Sequence, residues 1–191
     1  MRTLAICTMI LSIAVATAAA QDKGKQKGPA TPGLTLTTSA FDDGGMVPTR
    51  YTMNDPNAVS PKLEWSHVPA GTVTFTLILH DPDVSIQRKN DDVLHWMIFN
   101  IPGSATELPE GIPVGKATLD NGTVQAKNLR GQVGYMGPGA PPQGPVHHYT
   151  FELYALDTKL DLGPDATRAD VLKAMEGHIL GKGVLVGRFH R

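Results

Sequence analysis

Between Leu34 and Gly163, short apolar runs are cut at close intervals by Gly, Pro, Asn and Asp. Three runs stand out, at 74–80, 93–101 and 147–156, each rich in β-branched and aromatic residues. Runs of this length bounded by turn formers read as strands. No regular alternation with helix-length amphipathic segments accompanies them, which argues against βαβ units. The pattern predicts a mostly β fold, an antiparallel β-sandwich, with weaker strands at 34–39 and 184–189. Asp120-Asn121-Gly122-Thr123 predicts a hairpin turn and also forms a glycosylation sequon. One helix is legible near the C-terminus, and further short peripheral helices are expected. Thr167 and Asp170 have capping-box spacing, Val171, Leu172 and Met175 form an apolar stripe, and Gly177 supplies a stop.

The first twenty residues read as something other than fold. Arg2, the apolar run 4–15 and Ala18-Ala19-Ala20 have the layout of a secretory signal peptide cleaved near Ala20. Residues 21–33 (QDKGKQKGPATPG) then predict a disordered linker, and 34–191 a single domain. The only cysteine, Cys7, lies in the expected signal, so the expected mature chain of 171 residues has no thiol. Disulfides, zinc–cysteine sites and cysteine catalysis are thereby excluded, and the core alone must hold the domain. Without Arg2, sixteen basic residues face eighteen acidic ones. That balance supplies neither a basic stripe for nucleic acid nor a polybasic membrane anchor. The expected chain is exported, to the periplasm or beyond, without stable membrane insertion.

Side chains alternate across a strand, so parity sorts them by face. In the first strong strand Phe75, Leu77 and Leu79 lead to Asp81; in the second Val93 and His95 share a face with Met97, Phe99 and Ile101. In the third, His147 and Tyr149 precede Phe151, Leu153 and Ala155, while His148 points the other way, to solvent or an outer sheet. Asp81 and His95 meet at one edge if the first two strands are antiparallel. His147 joins them if its strand runs parallel to the second. Polar groups rimming an apolar interior in this way are the usual make-up of a small-molecule site.

Three segments carry a resemblance: HDPDV (80–84), HWMIFNIPG (95–103) and GYMGPGAPPQGPVHHYTFELYALD (134–157). Together with SPKLEWSHVPAGT (60–72) and ATRADVLKAMEGHIL (166–180), they resemble the phosphatidylethanolamine-binding protein family, also called Raf-kinase-inhibitor-like proteins, in its bacterial branch. The resemblance covers about residues 34–191 and implies a β-sandwich with a small anion pocket at one end. It implies that Asp81 and His95 flank the pocket, that Gly137, Gly139 and Pro141 form its floor, and that His147 and Tyr149 form its far wall. Asp83 would support the Asp-Pro-Asp loop. The Gly/Pro stretch then reads as a stiff backbone nest whose free N–H groups cradle an anion. The chain departs from the family pattern at Val84-Ser85, where Ala-Pro is common, and has no Tyr between 85 and 92. It departs again at Gly139, often Cys in bacterial relatives, and at Ala140, often Pro.

The expected function is binding of a small anionic ligand such as phosphate, phosphoethanolamine or a phospholipid head group, without cofactor or metal. A second reading, an inhibitor or regulator of another protein with a protease or kinase-type partner, would favour an extracytoplasmic protease over a kinase, given the expected export. A third, a metal-dependent phosphoester hydrolase built on Asp81, Asp83, His95 and His147, lacks HExxH-type spacing, and no serine sits in a nucleophile elbow. No catalytic residue is assigned. A homodimer is an oligomeric option that the resemblance raises, with no interface marked.

Overall fold

The structure, a computed structural model, describes residues 33–85 and 91–191. The expected signal peptide and all but the last residue of the expected linker lie outside the described residues. The strands are β1 (Thr35–Thr37), β2 (Gly45–Met46), β3 (Leu63–Ser66), β4 (Thr74–Asp81), β5 (Val93–Pro102), β6 (Glu107–Leu108), β7 (Val124–Gln125), β8 (His147–Leu156) and β9 (Ile179–Phe189). They form a three-stranded sheet, β1-β3-β6, and a six-stranded sheet, β2-β9-β8-β4-β5-β7. Both sheets are open. The larger is antiparallel except where β2 runs parallel to β9, a departure from the purely antiparallel expectation.

β4 is central, paired antiparallel with β5 on one side and β8 on the other, and all eight of its residues are buried. Phe75, Leu77 and Leu79 pack in one core with Phe151 and Leu153 of β8 and with Leu36, Leu63 and Trp65 of the smaller sheet. On the opposite face Ile78 packs in a second core with Met97, Phe99, Tyr154, Val171 and Met175. A strand covered on both faces needs a nearly continuous apolar run, which TFTLIL supplies. Phe75 is fully buried, and truncating it to Ala would cost about 3–5 kcal/mol.

The parity reading is met on β8, where Tyr149, Phe151, Leu153 and Ala155 all join the first core. It fails on β5. Pairing there advances from Phe75↔Ile101 to Leu77↔Ile98, and from Leu79↔Trp96 to His80↔Leu94, so β5 carries an extra residue at two places. Trp96 and Ile98 therefore face the first core, and Met97 and Phe99 the second. Asn100, at the first irregularity, has φ 57° and fixes the 160 segment by donating through Nδ2 to the Leu160 carbonyl and accepting from the Leu160 N–H. His95 falls at the second. Bulges re-aim side chains, and this one turns His95 to the end of the first core despite the lost alternation.

Among the described residues there is one α-helix, α1 (Arg168–Met175), followed by β9, so the expected C-terminal helix precedes the last strand. Of the expected peripheral helices only a three-residue 3-10 turn, Thr49–Tyr51, is present there. α1 has the capping box: the Thr167 hydroxyl accepts from the Asp170 N–H, and the Asp170 carboxylate accepts from the Thr167 N–H. Val171 and Met175 are buried, whereas Leu172 is partly exposed and outside the stripe. Gly177, at φ 82°, provides the left-handed stop. The turn at 120–123 is a hairpin turn, with the Leu119 N–H donating to the Thr123 carbonyl and Gly122 at φ 84°.

Candidate functional site

Because β4 is antiparallel to both neighbours, its C-terminal end meets the N-terminal ends of β5 and β8. Asp81, His95 and His147 collect there, only 3%, 3% and 6% exposed. Asp81 ends β4 in an Asx turn, its Oδ1 accepting from the Asp83 N–H at 3.0 Å. Its Oδ2 accepts from His147 Nδ1 at 2.7 Å, which fixes the proton of that ring on Nδ1 and leaves Nε2 for other partners. Asp83 accepts through Oδ2 from the backbone N–H of His148 at 2.5 Å and from its ring Nδ1 at 2.9 Å. Burial alone would raise the Asp83 pKa, but these two donors outweigh it and hold the carboxyl below its ordinary value. The Asp-Pro-Asp loop is thus stitched to the start of β8 by Asp83, with His148 on the exposed face.

His95 Nδ1 lies 3.0 Å from the Met136 carbonyl oxygen and 3.1 Å from that of Gly137. Carbonyls only accept, so Nδ1 carries the proton and Nε2 of the neutral ring is a bare acceptor. Burial lowers the His95 pKa, against the opposing pull of the Met136 carbonyl and Asp81. Tyr149 lies between the two imidazoles, edge-on to His95 at 5.1 Å and stacked near His147 at 6.4 Å. Burial, helped by the nearby Asp81 carboxylate, raises its phenol pKa, so the hydroxyl stays protonated.

The loop 134–141 is held by its own backbone. The Met136 N–H donates to the His95 carbonyl, the Met53 N–H to the Pro138 carbonyl, and the Tyr135 hydroxyl to the Tyr51 carbonyl. A Cβ on Gly137 would lie 2.6 Å from the Tyr51 carbonyl oxygen, so only glycine lets the loop cross that segment. On Gly139 it would lie 2.3 Å from Met53 Sδ. The expected nest of free N–H groups differs in one respect: the Gly139 N–H donates to the Tyr149 hydroxyl at 3.1 Å. Stiffness is present, but that donor is already engaged within the protein.

A cavity of about 240 Å³ opens at this end of the first core. Of the sequence-derived residues, Asp81, His95, Gly139, Pro141 and His147 line it. Gly137, Tyr149 and Asp83 are not among its walls: Gly137 accepts from His95, Tyr149 anchors Gly139, and Asp83 braces the loop. Sequence reasoning missed Met53, Leu129, Arg130 and Met136, which complete much of the lining. Leu129 and Arg130 come from a turn, where strand parity says nothing; only their closeness to GYMGPG in the chain could have marked them. Among the described residues no group of three or more His, Cys, Asp or Glu side chains is arranged to hold a metal ion, and no helix is long and apolar enough to cross a membrane.

Comparison with known proteins agrees with this architecture. Residues 37–190 match the family model described as phosphatidylethanolamine-binding protein. A UPF0098 protein of Methanothermobacter thermautotrophicus is 47% identical over 158 residues, 83% of this chain and 99% of that protein. The UPF0098 protein YbhB of Escherichia coli is 32% identical over 161 residues, 82% of this chain and 99% of its own. Among solved structures, the phosphatidylethanolamine-binding protein homolog CT736 from Chlamydia trachomatis aligns with TM-score 0.73 at 31% identity, covering 84% of this chain and 99% of that one. YbcL of Escherichia coli, described as a member of the mammalian PEBP family, aligns with TM-score 0.72 at 26% identity, over 84% and 99% of the two chains. With its mostly β fold, its strand-end cavity and a family match spanning residues 37–190, the chain belongs to the phosphatidylethanolamine-binding protein family.

Proposed function

We propose that this protein binds a small anionic ligand, a phosphate, a phosphomonoester or the head group of a phospholipid, in the cavity between Asp81, His95 and His147. The two sheets are read as a sandwich whose open end holds the ligand, and the protein as one exported after cleavage near Ala20. The observation that carries the reading is the way both imidazoles are tied. Each spends Nδ1 on the protein, His147 on Asp81 and His95 on two carbonyls, so Nε2 is the nitrogen left for a ligand. A proton taken up at Nε2 turns an acceptor into a charged donor. The bracing of the aspartate and both histidines supports a binding role.

The pH dependence follows with its sign. Neutral His95 offers an anion no donor, so anion binding draws a proton onto the ring, and affinity rises as pH falls from the neutral range toward the lowered His95 value. Titration calorimetry with inorganic phosphate and with O-phosphoethanolamine at pH 6 and pH 8 tests this, beside His147→Ala. Tighter binding at pH 6 that disappears in His147→Ala is expected. Affinity that is flat with pH and indifferent to the substitution would refute it.

A further inference from the structure

Lys127, Lys182 and Arg168 each contact a carboxylate, Asp165, Glu152 and Asp92 respectively. Arg130 differs. It lines the cavity with Asp81, His95 and His147, and among the described residues it makes no ion pair. Its guanidinium Nη2 meets only Met53 Sδ, at 3.8 Å, and a thioether is a weak acceptor.

The backbone that carries it is fixed. Buried Asn128 accepts through Oδ1 from the N–H groups of Arg130 and Gln132, at 3.0 and 3.3 Å, and donates through Nδ2 to the Gly134 carbonyl. The Leu129 N–H donates to the Leu94 carbonyl, tying the turn to β5 next to His95. The guanidinium therefore starts from a positioned backbone at the rim of a cavity whose other ionisable walls, among the described residues, are one carboxylate and two imidazoles.

We infer, resting on the anion-binding reading above, that Arg130 sets which anions the cavity takes: it makes the site prefer a doubly charged phosphomonoester or free phosphate to the singly charged phosphodiester of an intact lipid head group. Above the imidazole titration range Arg130 is the one permanent cation among the described residues of the wall, since a guanidinium stays protonated at any working pH. Its planar fork can donate to two oxygens of one phosphate, and a monoester leaves three terminal oxygens where a diester leaves two. A second ligand charge adds to the attraction of Arg130; it also adds to the repulsion of Asp81, but both oxygens of that carboxylate already accept hydrogen bonds, from His147 Nδ1 and the Asp83 N–H. The cavity, about 240 Å³, falls below the range of roughly 300–1,000 Å³ typical of larger ligands, so a phosphoryl group and a short substituent suit it better than a glycerolipid.

The test is titration calorimetry at pH 7.5 with O-phosphoethanolamine, its diester counterpart glycerophosphoethanolamine, and inorganic phosphate, on the protein and on Arg130→Gln, Arg130→Lys and His147→Ala. The unsubstituted protein is expected to favour the monoester and phosphate over the diester about tenfold. Arg130→Gln should lose about tenfold on both favoured ligands and little on the diester, so that the preference collapses, as expected for one charge-assisted contact. Arg130→Lys should restore part of the loss, since it keeps charge without the fork. Unchanged thermal unfolding of Arg130→Gln would show that the fold is intact, as an exposed side chain predicts. If Arg130→Gln binds all three like the unsubstituted protein while His147→Ala binds none, the inference fails and the anion reading stands. If the unsubstituted protein binds none of them, both fail. Preferential cosedimentation with phosphatidylethanolamine vesicles that phosphate does not displace would also overturn the inference and would identify the lipid diester as the source.

Discussion

His80 and Asp81 are neighbours at the end of β4, yet they face opposite ways into two different assemblies of the same residue types. On the second-core side, His80 Nδ1 contacts Asp92 Oδ2 at 2.6 Å, and Arg168 contacts the other Asp92 oxygen. Beyond it, Glu152 accepts from Lys182 at 2.6 Å and from the Tyr154 hydroxyl at 2.7 Å. His80 Nε2 lies 3.8 Å from Glu152, near enough to attract and too far for a hydrogen bond. All four carboxylate oxygens have donors, so this is a clasp closed at its carboxylates. His80 Nε2 and Arg168 Nε are nevertheless buried without a hydrogen-bond partner among the described residues, and a cavity of about 210 Å³ lies beside Asp92 and Arg168. On Asp81's side the aspartate is also braced, but Arg130 has no carboxylate and two imidazoles keep Nε2 for the cavity. The same residue types make a structural joint where basic side chains meet carboxylates directly, and a candidate binding site where an arginine without a carboxylate shares a cavity with two imidazoles.

The comparison can be broken most forcefully at Asp92. Asp92→Ala leaves His80 and Arg168 without their shared partner in a largely buried place, and should cost about 3 kcal/mol of stability, at the low end for a broken buried pair. Anion affinity should not change. Urea denaturation beside calorimetry separates the two effects, and an equal loss of affinity would mean that the two assemblies are coupled.

The two histidines should also respond to pH with opposite signs. Burial lowers the His80 pKa, but Glu152 and Asp92 outweigh it, and the net value is raised. Its contribution is therefore complete below about pH 6.5, the unfolded value, and is lost as pH rises through the raised one. For His95 the folded value is lowered, so its contribution is complete above about pH 6.5 and is lost as pH falls toward the lowered one. Denaturation midpoints from pH 5 to pH 8 for His80→Asn and His95→Asn should each delete one slope and spare the other. Glu152, held well below the carboxylate range by His80, Lys182 and Tyr154, adds stability that is lost only as pH falls below about 4.3.

The smallest effect concerns two glycines of the pocket loop. Gly139→Ala need only push the flexible Met53 thioether aside, costing less than about 1 kcal/mol, and it should narrow the cavity and weaken binding. Gly137→Ala collides with the backbone at Tyr51 and Thr52 and should cost about 1–3 kcal/mol. Thermal unfolding of the pair would check the order, and equal losses would contradict it.

These contrasts also mark how far the sequence could be read. β8 pairs with β4 without a shift from Thr150 to Leu156, and no irregularity interrupts its pairing with β9 between His147 and Ala155, so alternation holds back to His147 and Tyr149, both buried. β5 is bulged twice, and no residue type announces that the pairing has slipped; His95 reaches the cavity because of a bulge that alternation cannot foresee. β3 and β6, four and two residues long, offer too little period to detect, although they supply Leu63, Trp65 and Leu108 to the first core. Arg130 depends on how the Asn128 turn folds back against β5, a tertiary fact. The role of the Gly139 N–H likewise depends on where the Tyr149 hydroxyl comes to rest.

The most direct measurement is nitrogen-15 NMR of the histidine rings at pH 7 during a titration with phosphate. The free protein should show His95 as the neutral Nδ1–H tautomer. Phosphate should shift the His95 and His147 Nε2 resonances toward the protonated form and leave those of His80 in place. Movement of His80, with His95 and His147 unchanged, would contradict the assignment of the open assembly as the binding site and the closed one as a structural clasp.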